Sequence, residues 1–179
     1  MFGTIVVNVT DTRFIPGKVI ATKSNKSDLQ PAFAEYVAYR LRNDIIAYIK
    51  DQRYARKGKW VPLKFEYVEY KKRKNLSTNT WEATSQLVNS IKVTKKGDKF
   101  HVGISPSKTY KGSSLKVIQV ARWMEYGTTK MPARPLFRPI IRLYRRHIRK
   151  YWEDFNSECI NPRTGKVIKS KLRPKAKYE

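Results

Sequence analysis

The run ARWMEYGTTKMPARPLFRP, which begins at Ala121, constrains this chain more than any other stretch, because it sets a helix end, a stiff connector and a second helix start within a few residues. Leu115, Ile118, Arg122, Met124 and Tyr126 suit a short helix over 115–126. That helix stops where Gly127 can take the left-handed conformation that is unfavourable for residues with a Cβ. Pro132 and Pro135 fix φ and push Met131 and Arg134 towards extended geometry. Pro139 then falls in the first turn of the next helix, where amide hydrogens have no intrahelical partner. Such stiffening sets the angle between two helices.

Around this joint the pattern reads as α+β. Thr4 to Val9 is rich in β-branched residues and predicts a strand, after which Pro16, Gly17 and the polar cluster Lys23 to Asp28 break the pattern, so 1–28 is expected to be an N-terminal strand or arm. From Leu29 or Pro31 the apolar residues Ala34, Val37, Leu41, Ile45 and Tyr48 recur at helical spacing and predict a long spine helix, with Asp28 as its cap and Gly58 as its stop. Lys59 to Ser77 interleaves Trp60, Pro62, Leu63, Phe65, Tyr67 and Tyr70 with Lys71, Lys72, Arg73 and Lys74, and has room for a short helix over Lys64 to Lys72. Ile91 to Thr94 and Phe100 to Ile104 flank the turn residues Lys95 to Asp98 and predict an antiparallel hairpin near 91–104. A long helix is expected near 136–158. Its apolar face would comprise Phe137, Ile140, Ile141, Tyr144, Ile148, Tyr151, Trp152 and Phe155, with Arg138, Arg142, Arg145, Arg146, Arg149 and Lys150 on the rest. One domain is therefore expected over 29–158. From Asn161 onward seven basic residues and one acid, with Pro162, Gly165 and Pro174, predict a basic extended tail over 159–179 that orders on a partner.

Thirty-nine Lys and Arg against fourteen Asp and Glu leave a net charge of +25, which favours nucleic acid or acidic protein surfaces as neighbours. Cys159 is the single cysteine, so no intrachain disulfide can form and a reducing compartment is expected. No apolar run is long enough to cross a bilayer, and the start MFGTIVVNVTD lacks the features of a signal peptide; a soluble protein of the cytoplasm is the expectation.

Raw material for catalysis is sparse. His101 and His147 have no Cys or carboxylate at ligand spacing, and Glu35, Asp44, Asp51 and Glu66 are scattered among abundant partners of opposite charge. The glycines stand alone and form no phosphate-cradling loop. A non-enzymatic protein with neither cofactor nor metal is expected. Aromatics and lysines over 59–74 suit either a single-strand stacking platform or core anchors beside a solvated loop. The arginines of the 136–158 helix repel one another at one-turn spacing, a cost that a counter-surface would relieve.

The residues Glu125, Gly127, Thr128, Met131, Pro132, Ala133, Arg134, Pro135, Phe137, Arg138 and Pro139 resemble the E-x-G-T-x-x-M-P-A-R-P-x-x-R-P signature of tailed-bacteriophage neck and tail-completion proteins, a group that includes minor tail protein Z-like chains. Gly58, Trp60, Pro62, Leu63, Tyr67 and Lys71 are similar to the W-x-P-L … Y … K stretch of phage virion-morphogenesis proteins, and Leu87, Ser90 and Ile91 to the L-x-x-S-I that follows it. Where that group tends to have T-G-x-L, this chain has Ala83, Thr84, Ser85 and Gln86. The resemblance spans roughly residues 30 to 155. It implies a structural virion protein, assembled in the host cytoplasm as a head-to-tail hexameric or dodecameric ring at the head-proximal end of the tail. Its implied partners are other copies of itself, head connector or adaptor proteins, tail tube or terminator proteins, and DNA in transit, with no membrane. Glu125, Gly127, Thr128, Met131, Pro132, Arg134, Pro135, Phe137 and Arg138 are then candidate contacts between subunits. Arg142, Arg145, Arg146, Arg149, Lys150, Lys166, Lys169, Lys171 and Arg173 are candidates to face a partner or DNA. The alternative is a cellular basic nucleic-acid-binding protein, ribosome- or nucleoid-associated.

Overall fold

A computed structural model describes residues 4–7, 26–54, 58–97 and 99–175. The expected arm residues 8–25 and the last residues, 176–179, lie outside the described part. The architecture is α+β, built around one buried helix. That helix, α1 (Lys26–Lys50), carries Leu29, Phe33, Tyr36, Val37, Ala38, Leu41, Ile45 and Ile49, all nearly free of solvent contact. Apolar positions on every side are what a helix needs when elements cover it all round.

Two boundaries of α1 differ from the sequence reading. The helix begins at Lys26, so Asp28 lies inside its first turn and is not its cap. It also ends at Lys50, short of Gly58, because Gln52 adopts a φ of 53° and its side chain clamps the exit: Nε2 donates to the carbonyls of Ile49 and Thr80, and Oε1 accepts from the Thr80 amide. Gly58 instead belongs to a small hairpin of β2 (Arg53–Tyr54) and β3 (Gly58–Lys59). A side-chain amide ended the helix earlier than any glycine or proline would.

Downstream, α2 (Phe65–Arg73) forms where a short helix was expected, and a further short helix, α3 (Ser85–Asn89), was not anticipated. The strands β4 (Ile91–Lys96) and β5 (Lys99–Ile104) form the expected hairpin, paired from Ile91↔Ile104 to Lys96↔Lys99. The N-terminal strand β1 (Thr4–Val7) pairs antiparallel with the other edge of β5, which gives the sheet order β1-β5-β4. Ile91, Phe100, Val102 and Ile104 lie on the buried face, against α1. Period-two alternation therefore turns Lys92, Thr94, Lys96 and His101 to the other side.

α4 (Val117–Tyr126) and α5 (Phe137–Cys159) fall close to the expected bounds. α5 packs its buried residues Phe137, Ile140, Tyr144, Tyr151, Trp152 and Phe155 inward, and Phe33 of α1 meets Trp152 edge-on at 4.8 Å between ring centroids. A polar seam fixes the register of the two helices: Arg40 donates to the Tyr36 hydroxyl and pairs with Asp154 at 2.8 Å, while Tyr36 donates to Glu158.

The basic tail is corrected over residues 161–175. It does not wait for a partner but folds back on its own domain. Ile160 and Val167 form a β-bridge around a turn in which Asn161 Oδ1 accepts the amides of Arg163 and Thr164, and Gly165 takes a φ of 66°. A 3-10 turn over Lys169–Lys171 then seats Leu172 in the core. The apolar residues Val167 and Leu172, spaced through a basic run, supply the anchors that charge counting alone overlooks.

Candidate assembly joint

The segment from Glu125 to Arg138 is held from three directions. At its start Gly127, with a φ of 79°, closes α4 by donating to the Trp123 carbonyl. A Cβ at this position would lie 2.8 Å from the Ala133 amide nitrogen and 2.9 Å from the Met131 carbonyl oxygen, both rigid backbone atoms. Only glycine satisfies both the backbone angle and the space. Thr128 and Met131 then bridge each other across a tight turn, and the Thr128 hydroxyl accepts the Lys130 amide.

At the far end the Glu125 carboxylate, fully buried, accepts the backbone amides of Leu136 at 2.7 Å, Phe137 at 3.0 Å and Arg138 at 3.0 Å. These are amides at the start of α5 that no helical carbonyl can reach, and the carboxylate also meets the positive end of the helix dipole. Arg138 completes the arrangement: its guanidinium reaches back to Glu125 Oε1 and to the Glu125 carbonyl, and covers the Tyr126 ring at 4.6 Å. One side chain from the end of α4 thus caps the next long helix.

Arg134 supplies the third hold. It is 3% exposed, and its Nε and Nη2 donate to the carbonyls of Val61 and Pro62 while its own amide donates to Met124. Burial pulls its guanidinium below the ordinary arginine value. The carbonyls of Arg134 and Pro135 are in turn capped by the indole N–H groups of Trp81, at 2.8 Å, and Trp60, at 2.7 Å. The two stretches singled out separately in the sequence, around Trp60–Leu63 and around Met131–Pro135, therefore meet in space.

Trp81 was missed by the sequence reading. It holds a φ of 65° although it has a bulky side chain, a conformation that persists because its N–H bonds Arg134 and its ring packs edge-on against Phe137 at 5.9 Å. The signal was present in the sequence as one large apolar residue in the polar run STNTWEATS. Beside it, buried Lys71 donates to the carbonyls of Asn79 and Glu82, and burial lowers the pKa of its amine. Burial alone would raise the Glu82 carboxyl, but hydrogen bonds from Lys50, at 2.6 Å, and Asn79 outweigh it and hold the group below its ordinary 4.5.

The candidate contact residues divide accordingly. Glu125, Arg134 and Phe137 are interior, and Gly127, Met131 and Pro135 are partly covered, whereas Thr128, Pro132 and Arg138 are exposed. The exposed large hydrophobic residues among the described residues are Val61, Phe65, Tyr67, Tyr70, Trp123 and Tyr126, with Phe65 the most open at 75%; Trp123 and Tyr126 lie at the end of α4 that enters the joint, and the Val61 carbonyl accepts from Arg134. The two stretches that carry them, 61–70 and α4, meet at a groove of about 130 Å³ whose lining includes Leu63, Tyr67, Val120, Met124 and Met131.

The candidate basic residues are placed elsewhere. Arg142, Arg145, Arg146, Arg149 and Lys150 project from the outer side of α5 and form no ion pair with another described residue. Lys166, Lys169 and Lys171 are exposed on the folded-back tail, and Arg173 pairs with Glu35 at 2.7 Å. His101 lies on the open side of the sheet, His147 within α5, and Cys159 beneath the tail; among the described residues no group of three or more His, Cys, Asp or Glu could hold a metal ion. No helix among the described residues is long and apolar enough to cross a membrane. Comparison with family models, curated proteins and solved structures finds no match to this chain.

Proposed function

We propose that this chain is a structural virion protein of a tailed bacteriophage, assembling as a closed ring at the head-proximal end of the tail and joining it to the head connector. The observation that carries the reading is the joint. A glycine, two prolines and two buried charged residues fix the angle between α4 and α5, and a cluster of exposed aromatics borders the joint. Head-to-tail contacts close into a ring only when the rotation per subunit is held constant, and a rigid connector holds it. Exposed aromatic patches of this kind mark protein contact surfaces.

In this reading Thr128, Pro132, Arg138, Trp123, Tyr126 and Phe65 form the docking edge, while Glu125, Gly127, Arg134 and Pro135 set its angle from inside. Most of the basic side chains of α5 and the tail meet acidic neighbours in the virion or lie on its outside. DNA passes through the lumen, and no catalytic step is assigned to the chain.

Electron microscopy and native mass spectrometry of the purified protein test the reading. Rings of six or twelve copies are expected, and Phe65→Asp with Tyr126→Asp should return the protein to folded monomers. A chain that stays monomeric at high concentration, or rings that survive both substitutions, would overturn it.

A further inference from the structure

The sheet carries a second surface that the joint does not use. On its face away from α1, a cleft of about 240 Å³ is lined by Lys92, Thr94 and Lys96 of β4, His101 and Gly103 of β5, and Ser105 and Lys108 of the loop that follows, with no acidic residue in the lining. Lys92, Lys96 and Lys108 are exposed and form no ion pair with another described residue. The cations are also crowded. Lys96 stands directly opposite Lys99 in the hairpin, a like-charge cross-strand pair that destabilises a sheet unless something offsets it.

The lining selects the kind of partner. Protein interfaces centre on aromatic and apolar anchors and are depleted in lysine. Here the lining is lysine, histidine and hydroxyl, with only Ile104 and Pro106 apolar, and these are the groups that hold phosphate oxygens without reading bases. The dimensions agree. Alternate residues on one face of a strand lie about 6.6 Å apart, so Lys92, Thr94 and Lys96 extend over about 13 Å. One strand of a DNA duplex presents a phosphate every 3.4 Å or so of helix axis, so that span faces roughly four of them.

We propose that this sheet face is a sequence-independent binding site for the phosphate backbone of double-stranded DNA, with Lys92, Lys96 and Lys108 as its cations and His101 and Thr94 as donors between them. The inference goes beyond the ring reading and does not rest on it, since a monomer presents the same cleft.

Fluorescence anisotropy with a labelled random-sequence duplex, titrated at several salt concentrations, tests it on the full chain. Replacing Lys92, Lys96 and Lys108 together by Gln should weaken binding at least tenfold and reduce the salt slope by roughly two to three, about one for each phosphate no longer neutralised. Arg142→Gln with Arg146→Gln and Arg149→Gln removes the same charge from α5 and should change affinity less than threefold. Equal losses from both variants would mean diffuse attraction to net charge and overturn the site. So would displacement of the duplex by polyglutamate as readily as by unlabelled duplex. Circular dichroism confirms that both variants fold, and their ring formation is scored separately, so failure of one proposal is distinct from failure of the other.

Discussion

The joint at 125–138 and the folded-back segment at 160–175 have similar ingredients, and they are held in opposite ways. Each leaves the end of a helix, turns at a glycine with positive φ and contains prolines and basic residues. The joint is fixed by charge taken inside: Glu125 and Arg134 are buried, Glu125 accepts three backbone amides and the Arg138 guanidinium, and Arg134 donates to two backbone carbonyls. The C-terminal segment is fixed by an apolar plug, Leu172, with its charges outside, where Arg173 reaches Glu35 and lies over Tyr39 while Asn43 donates to the Pro174 carbonyl. A buried, hydrogen-bonded charge allows one geometry because any other leaves it unpaired, whereas a hydrophobic plug fastens without dictating direction. The first device suits a connector whose angle matters, and the second suits a flap that only has to stay down.

The contrast can be broken most sharply at Glu125. Glu125→Ala leaves three amides at the start of α5 without an acceptor and should cost about 3–5 kcal/mol, read as a drop in the urea midpoint. A loss below about 1 kcal/mol would mean that the carboxylate is not what fixes the joint. Leu172→Ala should cost less, about 2 kcal/mol, because the plug sits at the margin of the core and the site can collapse. Its signature is local. Cys159 is buried beneath the segment, its thiol donates to the Lys171 carbonyl, and burial pushes its pKa up to about 11, so wild-type protein should label slowly with a thiol reagent. The Leu172 variant should label at least tenfold faster while α5 keeps its helicity, and unchanged labelling would detach the plug from the flap.

Acid separates the two regions further. The Glu82 carboxyl, beside Trp81 and the joint, has a folded pKa below its ordinary 4.5, so its contribution to stability is full above that value and is lost as pH falls through the depressed one. Urea midpoints of the wild type should therefore fall between pH 5 and the acid limit, in the range set by about 4.5 and below, and Glu82→Gln should flatten that fall. An identical slope in the variant would remove Glu82 from the account. The smallest effect is expected at Arg173, whose pair with Glu35 is solvent-exposed: Arg173→Ala should lower the urea midpoint less than either substitution above, and the loss should shrink further in high salt.

The elements were legible wherever periodicity and backbone chemistry agree. The spine helix, the 91–104 hairpin and both helices flanking the joint follow from apolar spacing and from Gly127 and Pro139, which act locally. Legibility failed where a distant group decides. Gln52 ended α1 by reaching the Thr80 backbone, Trp81 took a left-handed conformation because Arg134 and Phe137 were there to hold it, and the tail settled because Leu172 enters the core while the Lys171 carbonyl accepts from the Cys159 thiol. Among the candidate residues of 125–138, the sequence did not distinguish the side chains that build the joint, Glu125 and Arg134, from those that face outward, such as Thr128 and Pro132.

By itself the sequence determined where this chain bends and which residues are free to bend it, since φ limits and missing N–H groups belong to single residues and need no neighbour. Only the tertiary structure decided that Glu125 and Arg134 look inward and that the lysines of β4 share an open face. Burial and pairing are properties of two or more segments at once, and their free energy exists only after the chain has brought those segments together.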